Sequence, residues 1–334
     1  MEAKISKTCK IKMNIILTGV AGFIGFHTTK FFLKKNYKVL GIDNLNNYYD
    51  VSLKLNRLNQ LKKIKNFSFV KSDIQNKNLV NNFKIKKFNA DCLINLAAQA
   101  GVRHSLKDPY SYVYSNILGQ LNILELIKKK KIKKFIYASS SSVYGGNKVQ
   151  PFSVSQRVDN PVSLYAASKK SSELIAECYS KLYGIHSIGL RFFTVYGPWG
   201  RPDMATFIFT KKILEGNEIQ IFNFGKMKRD FTFIDDIVNG INGAVNFKTD
   251  KFFFHNIYNL GNNNTENLLD FIGIIEKNLG LKAKRKFLPL QPGDVPETYA
   301  DIKESKKDLN FKPKTKIIDG IPKFLDWYKN YYSI

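Results

Sequence analysis

The apolar positions of this chain follow two alternating rhythms. Short apolar-rich runs stand at Ile15–Leu17, Val39–Ile42, Phe67–Val70, Cys92–Leu96, Phe135–Tyr137 and Ser187–Leu190. Runs of this kind predict strands buried on both faces, as in a parallel sheet. Between them, apolar residues return at helical spacing over Phe23–Lys35, Leu53–Lys63, Tyr110–Lys129 and Leu164–Leu182, which predicts helices with one face on a core. Strand and helix in alternation make an α/β fold with a doubly wound parallel sheet. The punctuation changes after Gly197, where Pro198, Gly200 and Pro202 crowd together and shorter, mixed elements follow. The expected division is a basic extension over 1–12, a sheet domain over 13–195 and a smaller mixed α/β domain over 196–334. The run Asn256–Leu260 is expected to return to the main sheet as a further strand.

Composition narrows the classes. A chain of 334 residues, 44% hydrophobic, is long enough for a large core and two domains. Its apolar runs fall well short of the about 18 residues a membrane span needs. Cys9, Cys92 and Cys178 are three in number, widely spaced and without a CxxC pair. That argues against a disulfide framework or zinc site and fits a reducing cytoplasm. The net charge of +26 raises nucleic acid as a partner. However, only seven of the 53 basic residues are Arg, and the lysines are spread over the whole length. The pattern reads as solvated surface charge, with no recognisable nucleic-acid module.

The first strand runs into Thr18-Gly19-Val20-Ala21-Gly22-Phe23-Ile24-Gly25 and then a helix. Strand, tight turn and helix form the context in which glycines let a backbone approach a pyrophosphate, with the helix N-terminus beneath it. The spacing is GxxGxxG, and a plain glycine turn is the alternative. Asp43 ends the second strand, where a carboxylate can hold a ribose 2′-hydroxyl and repel a 2′-phosphate. NAD is therefore expected over NADP; an Asp43-Asn44 turn is the plainer reading. Asp73 and Ile74 follow the third strand and could reach an adenine. Ala97-Ala98-Gln99-Ala100-Gly101 follows the fourth, where small residues let a cofactor pass close to the strand ends.

Tyr165 and Lys169 stand four residues apart at the start of the last of these helices, so they share one face. A free phenol has a pKa of about 10, and a neighbouring ammonium would lower it toward use as a base. An ordinary helix face is the bland reading of the pair.

Together, the glycine turn, Asp43, the small-residue run, Ser139-Ser140-Ser141-Ser142-Val143-Tyr144-Gly145 and the YxxxK pair resemble the extended short-chain dehydrogenase/reductase family of Rossmann-fold NAD-dependent epimerases and dehydratases. The resemblance runs from about Met13 to Trp327. It is nearest to the UDP-glucuronate 4-epimerases through Ala97–Ser105, the segment from Leu190 to Met204 and the segment from Arg229 to Asp236.

That resemblance implies Tyr165 as base, Lys169 as its tuner and as holder of the nicotinamide ribose, and Ser140 as partner of the sugar 4-oxygen. Ser141 and Ser142 occupy positions that are Asp and Glu in the related dehydratases, which argues against elimination of water. The decarboxylases carry Glu where Ser142 stands. Arg201 is the candidate for a substrate carboxylate, which a guanidinium can bind bidentately; a solvated loop arginine is the alternative. Thr194 would add a contact to the sugar acid, Arg229 would bind the UDP pyrophosphate, and Asp294 would hold the uridine ribose. Arg103 reads equally as a structural ion pair or a substrate contact. The four histidines read as structural, and no metal is expected.

The implied activity is NAD-dependent 4-epimerisation of UDP-glucuronate to UDP-galacturonate through a 4-keto intermediate, by a cytoplasmic homodimer of polysaccharide biosynthesis. The alternatives are 4-epimerisation of UDP-glucose or UDP-N-acetylglucosamine, and decarboxylation of UDP-glucuronate.

Overall fold

The structure, a computed structural model, describes residues 11–291 and 293–334. Most of the expected basic extension, with Cys9, and Pro292 lie outside the described residues.

Seven strands form one parallel sheet: β1 (Asn14–Thr18), β2 (Lys38–Asp43), β3 (Phe67–Lys71), β4 (Cys92–Asn95), β5 (Lys134–Ser140), β6 (His186–Phe192) and β7 (Phe254–Leu260). Their order is β7-β6-β5-β4-β1-β2-β3. Successive side chains point to opposite faces, so each run feeds two cores. Ile15, Leu17, Val39, Ile94, Ile136 and Leu190 enter one, and Ile16, Leu40, Leu93, Phe135 and Tyr137 the other. Helices α1 (Phe23–Lys34) and α5 (Ile234–Asn246) cover the first face; α3 (Gly119–Lys130) and α4 (Leu164–Tyr183) cover the second. Helix α2 (Val51–Lys62) follows β2 and starts at an Asp50 cap that accepts from the Ser52 N–H.

The segment read as one helix over 110–129 departs from a regular helix. A π-turn at Val113–Leu118 interrupts it before α3. Hydrophobic spacing does not distinguish this turn from an α-helix. Its Asn116 side chain bonds both Gln99 backbone groups and the Ser168 hydroxyl, tying the helix to the end of β4 and to α4.

Beyond β6 the strand Thr194–Tyr196 pairs in parallel with Phe231–Phe233, and Glu218–Ile221 pairs in parallel with Lys284–Phe287. Asp230 fastens this region. It is buried and accepts from the Asn262, Asn263 and Ala300 N–H groups and the Thr232 hydroxyl. Burial pushes its carboxyl up to about 6 against those donors. The chain then returns through α5 to β7, which pairs with β6 along its full length.

Candidate active site

The carboxyl ends of β1, β2, β4 and β5 open into a cleft of about 810 Å³ between the sheet and the later segments. Such a crevice, at the point where strand order reverses, is the binding place of open α/β sheets.

At the floor, Gly19 has φ +74°, and a Cβ there would lie 2.8 Å from the Ala97 nitrogen. A Cβ at Gly25 would run into the Gly19 carbonyl oxygen. These positions keep a backbone cradle open at the start of α1, lined by Gly19, Gly22, Phe23, Ile24 and Gly25. Asp43, at the end of β2, accepts from the Ala21 N–H at 3.0 Å and the Leu45 N–H at 2.8 Å. Burial pushes its carboxyl up, opposed by those two donors. Asp73 accepts from Asn44 Nδ2 and the Gln75 N–H. Ile74, Ala97 and Ala98 complete this wall. The open backbone cradle and the carboxylate at the strand end fit a dinucleotide with a free 2′-hydroxyl.

Across the cleft, β5 ends at Ser140, whose Oγ caps the following turn by accepting from the Ser142 N–H at 3.1 Å. The Ser140 Oγ also donates to the Ser142 Oγ at 3.2 Å. Tyr165 and Lys169 project from the first turns of α4. Burial pushes the Tyr165 phenol up; the Ser140 hydroxyl and then the Arg201 guanidinium work against it, and Asp203 works with it.

The Lys169 ammonium, expected beside the Tyr165 phenol, is bonded to a strand carbonyl. Lys169 Nζ donates to the Ala138 carbonyl at 2.9 Å, and burial lowers it to about 8 against the support of Glu173. Helical spacing brings two Cβ atoms together, but a four-carbon stem carries the ammonium on to the strand carbonyl. Glu173, one turn further along, accepts from the Ser139 hydroxyl at 2.6 Å and from Arg191 at 2.8 and 2.9 Å. That buried carboxylate was not singled out in the sequence, although its spacing from Lys169 repeats that of the pair.

Arg201 lines the cleft and is held by Asp203 through two bonds of 2.9 and 2.7 Å, while Tyr48 donates to Asp203 at 3.1 Å. Neither partner was anticipated from sequence. Thr194, Ser141 and Ser142 line the same wall. Arg229 donates to the Lys228 and Pro296 carbonyls, and burial lowers its pKa against the support of Asp294. Asp294 is paired with Arg103 at 2.9 Å, and the Arg103 guanidinium stacks 4.4 Å from the Phe222 ring centroid. Every candidate site residue read from the sequence thus lines this one cleft.

His27 contacts the Pro198 carbonyl at 2.8 Å, and burial lowers it to about 4. Among the described residues no group of three or more His, Cys, Asp or Glu side chains is placed to hold a metal ion, and no helix is long and apolar enough to cross a membrane.

Residues 15–261 match the model of the NAD dependent epimerase/dehydratase family. The chain is similar to a UDP-glucuronate 4-epimerase of Thermodesulfobacterium geofontis, 45% identical over 94% of this chain and 95% of that one. It is 42% identical to UDP-glucuronate 4-epimerase 2 of Arabidopsis thaliana over 99% of this chain and 80% of that one. Among solved structures, the UDP-glucuronic acid 4-epimerase of Bacillus cereus, in complex with UDP-glucuronic acid and NAD, superposes with a TM-score of 0.88. That pair is 36% identical and covers 96% of this chain and all of the other.

Proposed function

The chain belongs to the NAD dependent epimerase/dehydratase family, and on that footing we propose that it interconverts UDP-glucuronate and UDP-galacturonate by NAD-dependent inversion at the sugar C4. The observation that carries this reading is the meeting of Ser140, Tyr165 and Lys169 with the glycine cradle and Arg201 in one cleft.

NAD, when bound, supplies a hydride acceptor at the sugar C4 that can return the hydride to the opposite face. The residues that would hold it are Gly19, Gly22, Phe23, Ile24 and Gly25 under the pyrophosphate, Asp43 at the adenosine ribose, Asp73 and Ile74 at the adenine, and Ala97 and Ala98 along the strand ends. Lys169 would hold the nicotinamide ribose.

Tyr165 takes the proton of the 4-hydroxyl, with Ser140 hydrogen-bonded to the same oxygen. The phenol stands above its ordinary value in this structure, so formation of the phenolate depends on positive charge arriving with the ligands. Arg229 and Asp294 grip the UDP moiety while the sugar is left free to turn, so orientation carries much of the rate. Arg201, Thr194, Ser141 and Ser142 hold the sugar carboxylate. Residues 13–195 together with β7 carry the cofactor, and much of 196–334 carries the sugar nucleotide.

A homodimer is supported by apolar side chains left open on the second face: Tyr114 and Leu118 on the π-turn, Leu121 on α3, and Leu174 and Leu182 on α4. Free Cys92 and Cys178 thiols suit a cytoplasmic setting, and a product sugar acid suits polysaccharide biosynthesis. Incubation of the purified protein with UDP-glucuronate, UDP-glucose and UDP-N-acetylglucosamine, with products identified by NMR, tests the assignment. Conversion of UDP-glucose alone would refute it.

A further inference from the structure

The Arg201 guanidinium is oriented by the protein itself. Nε donates to Asp203 Oδ1 and Nη2 to Asp203 Oδ2, and Nη2 also faces the Met204 sulfur at 3.7 Å. A guanidinium offers two bidentate edges, and Asp203 occupies only the one formed by Nε and Nη2. Among the described residues Nη1 has no acceptor, and the Arg201 side chain is 22% exposed toward the cleft.

Asp203 is tethered in turn. Tyr48, on the segment that leaves β2 just after Asp43, donates to Asp203 Oδ2 across 155 positions of sequence. The Tyr48 ring lies 4.8 Å from His104. Its hydroxyl fills the space beside Gly101, where a Cβ would come within 2.8 Å of it and where φ is +105°. Lys54 lines the same cleft, and it and the buried Arg57 are close enough to Arg201 and Asp43 to interact with both electrostatically.

We propose that Asp203, anchored by Tyr48, is the positioning residue that presents the Nη1 side of Arg201 to the sugar carboxylate. The choice between an acidic and a neutral hexose is then set by a carboxylate that does not touch the sugar. This rests on the reading of Arg201 given above.

The test is calorimetric titration of UDP-glucuronate and UDP-glucose into the NAD-saturated wild type and into Asp203→Asn, Tyr48→Phe and Arg201→Ala. Asp203→Asn is expected to weaken UDP-glucuronate about tenfold, the equivalent of one net hydrogen bond to a charged group, while UDP-glucose stays within about twofold. Tyr48→Phe moves the ratio in the same direction by about threefold, and it carries the test if Asp203→Asn does not fold. Unchanged UDP-glucuronate affinity in Arg201→Ala would overturn the role of Arg201 itself. A loss in Arg201→Ala beside a wild-type ratio in both other variants would overturn the positioning role alone. Equal weakening of both sugar nucleotides by Asp203→Asn would also overturn it, leaving Asp203 as a structural support.

Discussion

Lys169 offers a test in which stability and activity should move in opposite directions. The residue is 4% exposed, and burial lowers its ammonium from an ordinary 10.5 to about 8. At about 1.36 kcal/mol per unit, that burial opposes the folded state by about 3 kcal/mol at pH 7. Lys169→Met keeps most of the stem and removes the charge. It also removes the donor to the Ala138 carbonyl, a loss of about 1–2 kcal/mol. Glu173 keeps Arg191 and the Ser139 hydroxyl, so no second carboxylate is orphaned. The variant should therefore be inactive yet more stable than wild type by about 1–2 kcal/mol at pH 7.

The pH dependence carries the sign. The folded pKa lies below the unfolded one, so between about 8 and 10.5 the unfolded chain holds more protons, and wild-type stability rises with pH there. The variant lacks that contribution, so its advantage should shrink and reverse toward pH 10. Urea unfolding of both proteins at pH 7 and at pH 10, without added NAD, measures the difference. A variant less stable than wild type at pH 7, or a gap that does not change with pH, would refute the account of Lys169 as a strained buried cation.

Other outcomes follow from the same geometry. Tyr165→Phe should lower turnover by at least about 10²-fold, the scale of a lost general base, with UDP affinity unchanged by titration; near-wild-type turnover would remove Tyr165 as the base. Gly25→Ala drives a Cβ into the Gly19 carbonyl; it should abolish NAD retention on gel filtration and destabilise the fold by about 1–3 kcal/mol. Light scattering at micromolar protein should give twice the chain mass of 38.3 kDa, and a monomer mass would contradict the dimer. Arg201→Ala should release some UDP-pentose alongside epimer, because a β-keto acid whose carboxylate is no longer pinned loses CO₂; product analysis by NMR checks this.

Much of the framework was legible because its physics is local. Strands buried on both faces are largely apolar, so the inner strands appear as runs, while the half-buried edge strands β3 and β7 keep enough apolar positions to show at Phe67–Val70 and Asn256–Leu260. The glycine turn and the tyrosine–lysine spacing are likewise short-range. What sequence hid is long-range or lies at the end of a flexible side chain. Tyr48 meets Asp203 from 155 positions away, and Arg57 reaches the Trp199 carbonyl across 142. Neither partnership leaves a periodic trace. The destination of the Lys169 ammonium depends on where the Ala138 carbonyl sits, which only the packed sheet fixes. The π-turn at Val113–Leu118 adds one residue per turn without altering which residues are apolar.

The way β7 closes the sheet bears on how this chain could have been built up or taken apart. Its edge strand is translated only after the segments that form the far wall of the cleft, so the platform on one side remains unfinished until the other has been made. A cut after residue 195 would leave β6 with a bare flank of amide and carbonyl groups, an invitation to pair with a neighbouring chain. The two walls therefore depend on each other for a complete sheet, and simple fusion of a foreign module at that joint would leave β6 exposed.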